Sequence, residues 1–362
     1  MRRNRVLMIV LAVLLLIVAT ACQEREANQE PETDTRRITD MAGREVEIPA
    51  NIEKVYSTSA IGSVLIYTLE PDKLAGWTSE LRGSEKIIIA TEYHKLPDLG
   101  RWKGSSPTGS IEELLKAGPD IIISVGDVSP EYAGDADEIQ KQTSIPVIMI
   151  DGSLQKTAEA YRFLGDLIGE SERAEELATY CDKTLEDITA NLDSIEEEKR
   201  VRVYYAEGME GLETEISGTV NSEAFDLAGA KNVAVPATPD VRRMQVSIEQ
   251  ILTWDPEVII ISTDGDTTRS VYNKIKSDRT WASITAVKNN EVYEIPNYPY
   301  DWINRPPSVV RLLGVKWLSS LLYPDIIETD IRSDIREFYS LFFNYDISYQ
   351  EIEDILDTAE RK

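Results

Sequence analysis

Residues 155–199, QKTAEAYRFLGDLIGESERAEELATYCDKTLEDITANLDSIEEEK, decide how the rest of the chain is arranged. The segment contains no proline, and apolar residues recur at helical spacing from Ala158 to Ile168 and again from Ala174 to Ile188. The interruption at Glu170-Ser171 predicts two helices. Because charged residues occupy the other faces of the second helix, we expect it to lie along a surface rather than inside a core.

A repeated phrase flanks this segment. It reads SIEELLKAGPDIIIS at 110–124 and SIEQILTWDPEVIIIS at 247–262, with serine, glutamate and proline in register. Each copy predicts a short capped helix, a turn and a buried strand. Two similar α/β lobes joined by one long helical linker are the simplest interpretation.

The N-terminus has the composition of an export signal. Three arginines precede an apolar run from Val6 to Val18, and the small residues Ala19-Thr20-Ala21 precede Cys22. This layout resembles a bacterial lipoprotein box, in which Cys22 is lipidated and anchors the protein outside the membrane. The alternative is an ordinary signal peptide with an incidental cysteine. The polar stretch that follows, to about Arg36, predicts a disordered tether.

Composition narrows the class of protein. Removing the leader changes the formal net charge from −26 to −29, which excludes a nucleic-acid binder. Besides Cys22 only Cys181 remains, so the mature chain has no intramolecular disulfide, and Cys181 is expected to be a buried small residue. With His94 as the sole histidine, a protein cage for bare zinc or manganese is not expected.

Three segments together resemble one known family. These are ITDMAGREVEIP at 38–49, the two Ser-Ile-Glu phrases, and WASITAVKNNEVY at 281–293. They are similar to the ABC-transporter substrate-binding proteins for iron–siderophore, haem and cobalamin complexes. The resemblance implies two Rossmann-like α/β lobes joined by a single long α-helix, with the ligand held in the cleft between the lobes. The predicted division is 1–21 signal peptide, 22–36 tether, 37–153 N-terminal lobe, 154–199 linker, 200–324 C-terminal lobe and 325–362 closing helices.

The loops of the first lobe supply candidate ligand-binding residues. Strands that alternate with helices predict a parallel sheet, and ligands bind beyond the carboxyl ends of such strands. A strand is predicted at Lys73–Trp77. The loops expected at this edge contain Ser57–Ala60, Trp77, Arg101, Trp102 and Asp127. The two tryptophans offer flat apolar surface to a large ligand, although each of them equally suits a lobe core.

The second lobe supplies further candidates. They are Glu207, Ser217, Thr219, the adjacent arginines Arg242 and Arg243, and Asp264. The segment IPNYPYDWINRPP at 295–307 is too rich in proline for a helix or a central strand. It concentrates Tyr298, Tyr300, Trp302 and Arg305 in one rigid loop, which suits a binding wall. The alternative is that Tyr298 and Trp302 bury against the following helix, predicted at Ser308–Leu322.

The repeated phrase carries a second functional expectation. Ser110 with Glu113, and Ser247 with Gln250, match a capping box, which leaves Glu112 and Glu249 exposed in the first helical turn. The family resemblance implies that both glutamates dock onto arginines of the transmembrane permease, one per lobe, which suits a homodimeric permease. The alternative is a pair of acids that merely interact favourably with the helix dipole.

The resulting hypothesis is an extracytoplasmic binding lipoprotein, expected to be monomeric, that delivers a small metal complex to an ABC permease and its ATPase. No catalytic step, bound cofactor or nucleic-acid partner is expected, and membrane contact is through the lipid alone. The arginines favour an anionic ferric siderophore, whereas the aromatic residues favour haem or a corrinoid. An extracellular sensing subunit with the same fold and no transport role is the alternative function.

Overall fold

The structure is a computed structural model that describes residues 34–102, 107–235, 243–262 and 269–361. It opens with an antiparallel hairpin of β1 (Thr35–Thr39) and β2 (Glu45–Pro49), which turns at Ala42-Gly43. Asp40 closes the turn by accepting the backbone N–H groups of Ala42 and Arg44. The predicted signal peptide, Cys22 and most of the tether lie outside the described residues.

The first lobe is built on a parallel sheet. Its strands β3 (Val55–Ser57), β4 (Ile121–Gly126) and β5 (Val147–Asp151) are adjacent in that order. The predicted strand at Lys73–Trp77 is wrong, because only Leu74 bridges to Val55 before the chain turns to pair Trp77 with Asp98. The helices of this lobe are α1 (Ala60–Leu69), α2 (Glu85–Ile88), α3 (Ile111–Ala117) and α4 (Pro130–Thr143).

The linker contains the two predicted helices, α5 (Thr157–Ile168) and α6 (Ser171–Leu192). They form a hairpin rather than one continuous rod. Arg162 of α5 pairs with Glu175 at 2.7 Å and with Asp182 at 2.8 Å, two turns further along α6. Gly165 allows α5 and α6 to approach each other closely, since a Cβ at position 165 would lie 2.2 Å from the Cβ of Ala174. The buried stripe of α6 includes Cys181, and its other faces are largely exposed, as expected.

The second lobe repeats the first. The strands are β6 (Arg202–Ala206), β7 (Glu213–Glu215), β8 (Lys231–Asn232), β9 (Arg243–Gln245), β10 (Val258–Ile261) and β11 (Val292–Glu294). The parallel sheet has the order β11-β10-β6-β8, so β6, β10 and β11 correspond to β3, β4 and β5. Strands β7 and β9 form a separate antiparallel pair. The helices are α7 (Glu223–Leu227), α8 (Ile248–Trp254), α9 (Ser270–Ser277) and α10 (Thr285–Lys288).

Three helices close the molecule: α11 (Arg311–Leu322), α12 (Ile331–Phe343) and α13 (Tyr349–Leu356). One face of α12 is buried, and it carries Phe338, Tyr339, Phe342 and Phe343. Phe342 lies 5.9 Å from the ring of Tyr161 in the linker, and Phe343 lies 6.2 Å from Tyr67 in the first lobe. Helix α12 therefore packs against both the linker and the first lobe. No helix within the described ranges is long and apolar enough to cross a membrane.

Candidate ligand and docking sites

The carboxyl ends of the first sheet face the segment that leads into α11. Val125 and Asp151, at the ends of β4 and β5, line a cavity of about 30 Å³ whose other wall contains Pro307 and Ser308. That volume holds about one water molecule. The two lobes therefore meet closely at this point.

Two predicted arginines of the second lobe come together around a third predicted residue, Glu207, which directly follows β6 and is fully buried. Arg305 Nη2 lies 2.8 Å from Glu207 Oε1, and Arg243 Nε lies 3.6 Å from Oε2. Arg243 also pairs with Glu213 at 2.9 Å. A buried carboxylate requires such partners, because its desolvation is otherwise uncompensated. Glu207 thus holds two arginines that lie far apart in sequence.

Two further buried acids, Glu215 and Asp301, lie close to this group, and neither was predicted. Burial raises the pKa of the Glu215 carboxyl above its ordinary value, and the neighbouring Glu207 carboxylate raises it further. Burial raises the pKa of Asp301 to about 6, although the backbone N–H groups of Asn304 and Ile303 favour its charged form. An aspartate among aromatic residues in a proline-rich loop was the available sequence signal. We call Glu207, Glu215, Arg243, Asp301 and Arg305 the second rim.

The corresponding edge of the first lobe has a different character. Trp102 is half-buried, its backbone N–H donates to the Thr58 carbonyl at 2.9 Å, and its ring packs against Gly109. The Thr58 hydroxyl is buried and has no hydrogen-bond partner within the described residues. Arg101 and Asp127 are exposed, and Asp127 accepts the backbone N–H of Ser129 at 2.8 Å in the turn before α4. We call Thr58, Arg101, Trp102 and Asp127 the first rim.

Three predicted aromatic residues belong to the core, which corrects the expectation of ligand-facing rings. Trp77 is 5% exposed, and its indole N–H donates to the Tyr93 carbonyl at 2.9 Å. Trp302 is fully buried, and Tyr300 is 7% exposed. Their large apolar surfaces are already removed from water by the protein itself. The alternative of core packing is the one that the structure supports for these three.

Tyr298 lies against the closing helices. Its ring is 6.2 Å from that of Tyr339, and its hydroxyl donates to Glu351 at 2.9 Å. Burial, followed by this hydrogen bond to Glu351, raises the pKa of Tyr298 above its ordinary value. The phenol therefore faces α12 and α13 rather than the helix named in the alternative.

The remaining candidates of the second lobe occupy a turn or lie outside the described residues. Thr219 Oγ1 donates to the Ile216 carbonyl at 3.3 Å, which places it in the turn before α7, beside the exposed Ser217. Arg242 and Asp264 fall outside the described ranges.

The histidine of the first lobe, His94, contacts the Ile89 carbonyl at 2.8 Å. In the part of the chain that the structure describes, no group of three or more His, Cys, Asp or Glu side chains is placed to hold a metal ion.

The two repeated helices have matching geometry. Ser110 Oγ accepts the N–H of Glu113 at 3.4 Å, and Ser247 Oγ accepts that of Gln250 at 3.3 Å. Only this half of the predicted capping box is present, since Glu113 instead pairs with Lys116. Both helices end in a left-handed residue, Gly118 in α3 and Asp255 in α8.

The predicted docking glutamates are both exposed. The carboxylate of Glu112 has no ion-pair partner in the described part of the chain. The backbone N–H of Glu249 itself and then the Ser247 hydroxyl lower the pKa of the Glu249 carboxyl below its ordinary value. Both acids therefore present a carboxylate to solvent from equivalent positions of the two lobes.

A buried arginine that sequence reasoning missed joins the lobes. Arg311, at the start of α11, is 1% exposed and donates to the carbonyl of Gly152 at 2.8 Å and to Glu223 at 3.0 Å. Glu223 in turn accepts the backbone N–H of Leu154 at 2.8 Å. Burial lowers the pKa of Arg311, and the Glu223 charge opposes that shift. Because Gly152 follows β5 of the first lobe, whereas Arg311 and Glu223 belong to the second, the hydrogen bonds from Arg311 to Gly152 and from Leu154 to Glu223 connect the second lobe to the end of the first.

Comparison with known proteins gives consistent matches. The family model described as periplasmic binding protein matches residues 97–299. The solved structure of an ABC transporter solute binding protein from Sulfurospirillum deleyianum DSM 6946 has 31% identity and a TM-score of 0.80, and covers 89% of this chain and 99% of that chain.

Two curated relatives extend the comparison. The molybdate-binding protein MolA of Haemophilus influenzae is 26% identical over 337 residues, which is 85% of this chain and 91% of the relative. The vitamin B12-binding protein of Vibrio campbellii is 26% identical over 239 residues, which is 62% of this chain and 77% of the relative.

Proposed function

The chain belongs to the periplasmic binding protein family, and from that premise we propose which solute it binds and how it delivers that solute. It is a solute-binding protein of an ABC transporter rather than an enzyme, and it carries no cofactor. Such proteins act outside the cytoplasm together with a permease and its ATPase. The proposal concerns the ligand, the anchor and the docking contacts.

The proposed ligand is an anionic metal complex held between the first and second rims, with a ferric siderophore as the preferred candidate. The observation that carries this choice is the pair of arginines, Arg243 and Arg305, which Glu207 holds together in the second rim. Guanidinium groups bind anionic oxygens by paired hydrogen bonds. The burial of Trp77, Tyr300 and Trp302 removes most of the aromatic support for a flat macrocycle such as haem or a corrinoid.

Calorimetric titration tests the ligand class. Ferric catecholates, ferric hydroxamates, molybdate, haem and cyanocobalamin are titrated separately into the protein. Binding of at least one anionic complex, weakened about tenfold or more by Arg243→Met, supports the proposal. Binding of cyanocobalamin alone, unaffected by that substitution, would contradict it. Molybdate and cyanocobalamin are included because relatives of this chain are molybdate-binding and vitamin B12-binding proteins.

Docking through Glu112 and Glu249 is the second part of the proposal. The carboxylates stand at equivalent positions on two similar lobes, so a permease built from two identical subunits offers each of them the same cationic partner. Charge reversal by Glu112→Lys with Glu249→Lys should abolish uptake and leave ligand affinity unchanged. Uptake that persists in the double variant would identify the acids as helix-dipole residues. Loss of a signalling response with normal uptake would instead favour the sensing role.

The lipid anchor on Cys22 is the third part. Its support is the small-residue run Ala19-Thr20-Ala21 directly before the cysteine. The wild-type protein should incorporate labelled palmitate and sediment with membranes, whereas Cys22→Ala should be released in soluble form. A Cys22→Ala protein that stays with the membrane fraction would contradict lipid anchoring at this residue.

A further inference from the structure

Each docking glutamate is followed, three residues later, by an exposed leucine. Leu115 of α3 is 50% exposed and Leu252 of α8 is 37% exposed. The residues just before them, Leu114 and Ile251, are fully buried. The two helices therefore use one apolar residue to pack on their own lobe and present the next one to solvent.

An isolated exposed leucine is ordinary on a protein surface, so the informative feature here is the repetition at equivalent positions. Nine large apolar side chains are exposed in the described part of the chain, and three of them, Ile111, Leu115 and Leu252, lie on these two short helices. Leu115 and Leu252 occupy the same position of the repeated phrase. An exposed leucine thus recurs at the same position in both lobes, and in each lobe it is the preceding residue that packs on the core.

The leucines share a helix face with the glutamates. Residues three apart on a helix are surface neighbours, so Glu112 lies beside Leu115 and Glu249 lies beside Leu252. Each lobe consequently presents an anionic oxygen pair next to an apolar side chain. A partner that fits both lobes has a cation beside an apolar recess, present twice.

We propose that Leu115 and Leu252 are docking residues that insert into equivalent apolar recesses of the two permease subunits. This inference rests on the proposed delivery to a permease. The glutamates supply long-range attraction, which accelerates association and weakens as salt rises. The leucines supply contact that forms only at short range and slows dissociation, because burying apolar surface is favourable and insensitive to moderate salt.

The test measures binding of the full-length protein to its permease–ATPase complex in lipid nanodiscs. Leu115→Ala and Leu252→Ala should each weaken docking about threefold to tenfold, mostly through faster dissociation, and the loss should be the same at about 50 mM and about 500 mM salt. Glu112→Gln and Glu249→Gln should slow association, with an effect that shrinks at high salt. Ile326→Ala, an exposed residue elsewhere on the surface, is the matched control.

The possible outcomes distinguish a failure of this inference from a failure of the proposed docking through Glu112 and Glu249. Normal docking of Glu112→Lys with Glu249→Lys overturns the proposed docking face itself. Loss of docking in that variant, with wild-type dissociation rates in both leucine variants, overturns only the present inference. Sedimentation provides a further check: a self-association of the free protein that disappears in the leucine variants would assign the face to a second copy of the chain and would also overturn it.

Discussion

The corresponding strands follow the same order in the two lobes, but the rims of the two lobes differ. In the first lobe the carboxyl ends of the strands carry the Thr58 hydroxyl, the half-buried ring of Trp102 and exposed charges. In the second lobe the same position carries a buried carboxylate, Glu207, which binds two arginines. The same arrangement of strands therefore carries a hydroxyl group at the rim of the first lobe and an ion-paired carboxylate at the rim of the second lobe.

Helices α3 and α8, which carry the proposed docking glutamates, show the opposite behaviour. The serine cap, the exposed glutamate, the exposed leucine and the left-handed last residue recur in α3 and α8. An asymmetric ligand requires two different rims, whereas a permease of two equal subunits requires two equal contacts. The difference between the rims and the likeness of the helices thus follow from the symmetry of what each surface is proposed to meet.

The largest expected effect is a difference in protein stability between a substitution in the second rim and one in the first rim. Within the described residues, Arg305→Met leaves the buried Glu207 carboxylate with its longer contact to Arg243, so the free energy of unfolding should fall by about 3 kcal/mol. Arg101→Met in the first rim removes an exposed charge and should cost less than about 1 kcal/mol. Urea denaturation of both variants gives the comparison.

A second substitution identifies the cause of that loss. Glu207→Gln in the Arg305→Met background removes the uncompensated charge and should restore most of the stability. If the double variant is no more stable than Arg305→Met alone, the arginine acts by packing and the ionic contrast between the rims is incorrect.

The next effect concerns pH. The pKa of Asp301 is raised from 3.8 to about 6 by burial, so its contribution to stability is fully present below pH about 4 and is lost as the pH rises through about 6. Asp301→Asn should remove a pH-dependent loss on the order of 2 kcal/mol between about pH 4 and about pH 7. Thermal unfolding of both proteins across that range is the measurement. An identical pH profile for Asp301→Asn and the wild type would show that Asp301 does not titrate in this range.

The smallest effect distinguishes the two tryptophans of the first lobe. Trp77→Phe loses the hydrogen bond to the Tyr93 carbonyl and core packing, and should cost about 1 kcal/mol while leaving the ligand-induced change in fluorescence intact. Trp102→Phe should leave stability nearly unchanged and abolish that fluorescence change. The reverse pattern would place Trp77 at the ligand and Trp102 in the core.

The overall fold was predictable because its signals are local and repeated. The spacing in residues 155–199 predicted α5 and α6, and the two Ser-Ile-Glu phrases predicted α3 with β4 and α8 with β10. The hairpin between α5 and α6 was not predicted, since helical periodicity does not state in which direction the next helix runs. The single bridge at Leu74 was likewise mistaken for a strand, because its residues are apolar enough for one.

The sequence indicated which residues belong to the candidate site, but it did not indicate which of them contact each other. Glu207, Arg243 and Arg305 were named separately, but nothing local indicates that they meet across more than 30 residues of chain. The rings of Tyr300 and Trp302 were assigned to a binding wall because a proline-rich loop fixes its backbone while leaving side-chain direction to tertiary packing. Arg311 was missed because a lone arginine before an apolar helix is usually exposed.

Arg311 also affects surfaces that it does not touch. Glu112 and Glu249 lie on different lobes, so the interval between them depends on how the lobes are placed, and the bonds from Arg311 to Gly152 and Glu223 hold that placement from within. The spacing that the protein would offer to the proposed permease partner is consequently set within the protein itself, before docking. We therefore expect ligand capture to change that spacing little as long as the bonds from Arg311 to Gly152 and Glu223 persist.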